Sequence, residues 1–92
     1  MIVRIAGEGQ YQLPDGDVER LNELDNEAVS AVEAGDEGRF QELWGQMLQI
    51  VQNDGNAVPD DELVESDLIL PPRDITLEEA KAEFTGEGLI PD

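Results

Sequence analysis

Residues 17–53 carry two amphipathic helical patterns separated only by Gly35-Asp36. That break is the strongest constraint on the fold, because so short a connection leaves two helices little choice but an antiparallel hairpin. The first pattern, 17–34, puts Val18, Leu21, Leu24, Ala28, Val29, Ala31 and Val32 on one broad face. Asp15 or Asp17 can cap its start, and Gly35 suits the position just past its end. Asp25 falls inside the apolar arc, where a carboxylate must be paired, hydrogen-bonded or at the rim; the rim or a pair with one of the few arginines is expected, with a functional role as the alternative. The second pattern, 37–53, opens after Asp36 and stops near Gly55. Its stripe of Phe40, Leu43, Trp44, Met47, Leu48 and Val51 is the clearest amphipathic signal in the chain. Trp44 is read as part of the core, since large aromatics dominate the energetics of small cores.

The flanks add β-structure and a third helix. Ile2, Val3 and Ile5 suit one strand and Gln10 to Leu13 a second, with Tyr11 and Leu13 on one face. Gly7-Glu8-Gly9 supplies the turn between them, and Pro14 ends the second strand. Residues 54–67 read as polar and irregular. Leu68-Ile69-Leu70 reads as a short buried strand or extended segment stopped by Pro71-Pro72. Thr76 and Glu79 form a capping box for a final helix, Ile75 can staple onto Ala80, and Leu77, Ala80 and Phe84 share a face. Gly86 is the expected stop, and Gly88-Leu89-Ile90-Pro91 closes the chain. The expected fold is α+β over residues 1–92 as one small domain: an N-terminal β-hairpin, an antiparallel helical hairpin, a short third strand and a C-terminal helix. Its 92 residues have room for a modest core but not for a deep catalytic cavity as well.

Charge narrows the partners. There are 23 acidic residues against five basic ones, a net charge of −18. Such a surface repels phosphate backbones and anionic headgroups, which disfavours nucleic acid and direct membrane docking. Two explanations of the acidity stand open: a basic partner, or a cytoplasm at molar salt in which acidic surfaces keep proteins dissolved. The even spread of the charge and the single Lys fit the halophilic explanation. No run of residues approaches the roughly 18 apolar positions of a membrane span, and MIVRIAGEGQ is too short in apolar residues for a signal peptide. The expected location is cytoplasmic.

The sequence offers little chemistry. It has no His and no Cys, which removes nucleophilic triads and the usual zinc sites, and Ser30 and Ser66 lack an activating base. The two stretches resembling calcium loops fail at the turn glycine: Arg20 and Pro59 stand there instead. Gly7-Glu8-Gly9 lacks the third glycine of a dinucleotide loop, where Gln12 stands. No cofactor is expected, and no catalytic or metal-ligating residue is assigned.

One surface differs from the rest. Between Phe40 and Asn53 the single charged residue is Glu42, and the helix's polar face consists of Gln41, Gly45, Gln46, Gln49 and Gln52. Interface cores are depleted of charge in this way. These five residues are the candidate partner-binding face. Burial of both faces of the helix would produce the same depletion.

Several longer segments carry a family likeness: the opening MIVRIAGEGQYQL, the helical break AVEAGDEGRF, then PDDELVESDLILPP, DITLEEAKAEF and the ending GEGLIPD. Over its full length the chain resembles the small PspA-associated protein family, found beside phage-shock-protein-A-like membrane-stress proteins in bacteria and archaea. GEGQY, ESDLILPP and GLIPD are its most specific segments, and none is a catalytic motif. The resemblance implies a cytoplasmic, non-catalytic adaptor or regulator. Its implied partner is the PspA-type coiled-coil protein, similar to the membrane-remodelling ESCRT-III class, so that any membrane contact is indirect. An acidic member suits a haloarchaeal source. The alternatives are a self-associating structural protein, hence a homo-oligomer, and a carboxylate-based metal-ion sensor.

Overall fold

The computed structural model describes residues 1–59, 61 and 64–84. Its elements run β1 (Ile2–Ile5), β2 (Gly9–Gln12), α1 (Asp15–Ala34), α2 (Glu37–Asp54), β3 (Asn56–Val58), β4 (Leu68–Leu70) and α3 (Leu77–Glu83). The α+β expectation holds. Gly86, the 88–91 segment, Asp60 and Glu62 lie outside the described residues.

β1 and β2 pair antiparallel, with Val3 opposite Tyr11 and Arg4 opposite Gln10. The Glu8 N–H donates to the Ile5 carbonyl at 2.9 Å and closes the turn. Two departures from the sequence reading complete the sheet. Asn56–Val58, expected to be irregular, is a strand antiparallel to β2. Leu68–Leu70, expected as the third strand, is the fourth, and it pairs parallel with β1. The order is therefore β3-β2-β1-β4.

The first departure has a local cause. The edge of β2 presents unpaired backbone groups, and the chain leaving α2 passes directly beside it. A Cβ on Gly55 would collide with the Val51 carbonyl oxygen at the end of α2 and stand 3.1 Å from the Cβ of Tyr11, so glycine suits this close passage. The second follows from parallel pairing, which a hairpin cannot supply and a crossover must. Part of that crossover is held by Gln10, whose Nε2 donates to the Val64 carbonyl at 3.1 Å and to the Ser66 Oγ at 2.7 Å.

The helical hairpin forms as expected. Gly35 takes the left-handed conformation at φ 71°, which glycine adopts at least cost, and ends α1. The Asp36 Oδ1 then accepts from the Arg39 N–H at 3.1 Å and opens α2. The start of α1 differs from expectation. Pro14 occupies the cap position, without a side-chain capping bond. Its carbonyl already accepts from the N–H groups of Asp17 and Val18, which moves both aspartates into the first turn. There they favour the positive end of the helix dipole. In α3 the Thr76–Glu79 capping box is present in both directions.

The core lies between one face of the sheet and the helices. Val3, Ile5, Leu68 and Leu70 point into it, together with the stripes of α1 and α2. Phe84 meets Phe40 and Trp44 edge-on, with ring centroids 5.3 and 5.8 Å apart. Trp44 is buried, as its place in the stripe implies. Asp25 is fully buried rather than at the rim, and it is not without an interaction partner. The broad apolar arc of α1 is covered on both sides of it, which leaves that position no rim.

Candidate functional site

The polar side of α2 forms one wall of an open groove of about 500 Å³. Glu42, Gly45, Gln46, Gln49, Gln52, Asn53 and Arg73 line it. Four of the five candidate residues, Gly45, Gln46, Gln49 and Gln52, thus come together. Gly45 and Gln49 are exposed and Gln46 and Gln52 half-buried. The lack of charge along this face is therefore not a product of burial. Gln41 is also exposed but stands apart from the groove, where its Nε2 donates to the Ile75 carbonyl at 3.2 Å and ties α2 to the start of α3.

The far wall was not foreseen. Arg73 follows Pro71-Pro72, and nothing local in the sequence places it against α2. Its position comes from Glu8, in the β1–β2 turn. The Glu8 Oε1 accepts from Gln52 Nε2 at 2.7 Å and from Arg73 Nη2 at 3.0 Å, while Oε2 accepts from Arg73 Nε at 3.2 Å. A bidentate arginine–carboxylate pair holds orientation as well as charge. Trp44 adds a fourth anchor, its indole N–H donating to the Arg73 carbonyl at 3.3 Å. The groove floor and its charged wall are thus pinned to each other through one turn of the sheet.

Electrostatically the groove is nearly neutral. Its charged lining residues are Glu42 and Arg73, one of each sign. Each is engaged, Glu42 with Arg39 at 3.7 Å and Arg73 with Glu8. What remains for a visitor is a row of primary amides, each able to donate and to accept. Gly45 opens a notch in that row: a Cβ built there would meet nothing within 4 Å.

Elsewhere, a hydrogen bond that protonated Asp17 donates to the Asp54 carboxylate, some desolvation and the charge of that same carboxylate raise the pKa of Asp17 above its ordinary 3.8. Among the described residues no group of three or more His, Cys, Asp or Glu side chains is placed to hold a metal ion. No helix among them is long and apolar enough to cross a membrane.

A family model described as PspA-Associated protein matches residues 1–92. No curated protein and no solved structure matches the chain.

Proposed function

The chain belongs to the PspA-associated protein family, and from that premise we propose that it is a non-catalytic adaptor that binds a PspA-type membrane-stress protein through the amide groove of α2. The observation that carries this reading is the groove itself. A chain of net charge −18 keeps one nearly neutral, amide-lined concavity on its surface. A partner seated there meets hydrogen-bonding groups and buries no unpaired carboxylate, as interface cores require. Long-range repulsion from the surrounding acids is screened within about 3 Å near 1 M salt, so the reading suits a salt-rich cytoplasm. In this account the acidity maintains solubility, and the groove supplies the specific contact. Membrane association, in turn, comes through the partner.

The test is co-expression with the PspA-type protein of the same genome, followed by size-exclusion chromatography with light scattering in about 2 M KCl, where exposed charge attraction is screened. Co-elution at a defined stoichiometry, lost when Gln49→Glu places a carboxylate in the groove, is the expected result. A complex that forms equally well with Gln49→Glu sinks the groove as the docking face. A chain that grows with its own concentration and forms no mixed complex puts self-association in its place.

A further inference from the structure

The helices cover one face of the sheet. On the other face the strands present Arg4 between its register partners Gln10 on β2 and Ile69 on β4. Ile69 is 63% exposed and Val64, whose carbonyl Gln10 holds, is 40% exposed; these are the exposed large hydrophobic residues among those described. Both therefore lie on the side of the sheet that carries Arg4. Ile69 flanks Arg4 from the β4 side, and Val64 is held by Gln10, which flanks Arg4 from the β2 side.

Arg4 makes the patch selective. Among the described residues the other three arginines pair with carboxylates, Arg20 with Glu23, Arg39 with Glu42 and Arg73 with Glu8. Arg4 forms no ion pair among them, although the chain has 23 acidic residues. Its place on the strand explains this. The side chains beside it across the sheet are an amide and an isoleucine, and the nearby Asp67 uses its Oδ2 to accept from the Ile2 N–H at 2.8 Å. Among the described residues the cation is thus left without a carboxylate.

We propose that Ile69, Arg4 and Val64 form a second contact for the partner, one that receives a segment presenting a carboxylate beside apolar side chains. The proposal rests on the adaptor reading above and names the same PspA-type protein as the occupant. Charge complementarity selects this chemistry. A second copy would set Arg4 against Arg4 between two chains of −18 each, and an anionic lipid surface would meet the same net charge.

The experiment titrates the PspA-type protein with the wild-type chain and with the Arg4→Glu, Arg4→Lys and Ile69→Ser variants by calorimetry. Light scattering of each chain alone and the near-ultraviolet signal of Trp44 run in parallel. Both substituted side chains are exposed, so the fold should be unchanged. Arg4→Glu should weaken the complex by about tenfold or more, since like charges facing each other at an interface are costly. Arg4→Lys should retain most of the affinity, and Ile69→Ser should lose part of it. A carboxylate-to-lysine change in the partner's contacting segment should restore binding to Arg4→Glu. Equal affinities for wild type, Arg4→Glu and Ile69→Ser, with Gln49→Glu still impaired, would overturn this contact and leave the adaptor reading standing. Absence of any complex with the wild-type chain would overturn both. If Arg4→Glu alters only the chain's own association state, a second copy is the occupant and the proposal fails.

Discussion

Gly45 sets stability against binding, and a single methyl group tests both. It stands midway along the 18 residues of α2, exposed, in ordinary helical geometry. Glycine in a helix interior costs about 0.5–1 kcal/mol relative to alanine, because the unfolded chain gives up more freedom. Some glycines are retained because a side chain would clash. Here a Cβ would meet nothing within 4 Å, so that reason is missing among the described residues. The added methyl buries no appreciable surface either, so the expected gain is the propensity term alone. Gly45→Ala should stabilise the chain by about 0.5–1 kcal/mol. For a domain of this size that corresponds to a rise in Tm of about 2–8 °C, at roughly 4–8 °C per kcal/mol. In urea, with a slope of about 1–3 kcal/mol/M, the midpoint should move up by roughly 0.2–1 M with no change in slope. Urea is the suitable denaturant because it leaves the ionic strength of this acidic chain constant. Fluorescence of buried Trp44 reports the transition. The same methyl narrows the notch in the amide row, so affinity for the PspA-type protein should fall, and fall further for Gly45→Leu. Equal or lower stability for Gly45→Ala would refute the claim that the fold does not need this glycine. Higher stability with undiminished affinity in both variants would refute the claim that the notch receives the partner.

Two further perturbations probe the scaffold. Asp17 has a folded-state pKa above its unfolded value, so the pair it makes with Asp54 is least favourable when both are charged, and its contribution improves as pH falls through the raised pKa towards 3.8. Asp17→Asn should therefore raise the urea midpoint at pH 7, and its advantage over wild type should shrink as the pH approaches 4; an advantage that grows on acidification would contradict the assigned direction. Phe84, buried against Phe40 and Trp44, should cost about 3–5 kcal/mol when truncated to Ala, a large share of a typical 5–15 kcal/mol stability. Thermal denaturation would measure it, and a loss below about 1 kcal/mol would mean that α3 adds little to the core.

Most of the helical hairpin was legible in the sequence by itself. Apolar periodicity, the left-handed glycine at position 35, the Asp36 cap and the Thr76–Glu79 box are relations between residues a few positions apart, and the chain's own geometry enforces them. The same holds for the β1–β2 hairpin and for the uncharged face of α2. What tertiary structure alone decided are relations between distant segments. Asn56–Val58 became a strand because the end of α2 lies against the edge of β2, and three such residues carry no alternation that could announce it. The parallel pairing of β4 with β1 depends on a crossover, which leaves no local mark. Asp25 went into the interior because packing closes over both sides of the α1 arc, and a helical wheel cannot tell a rim from a centre. Arg73 reached the groove through Glu8, 65 positions away in the chain, and Arg4 is flanked across the sheet by Gln10 and Ile69 and pairs with no carboxylate among the described residues. Local periodicity determines which face of an element is apolar, whereas only the packing of remote segments determines which polar side chains meet.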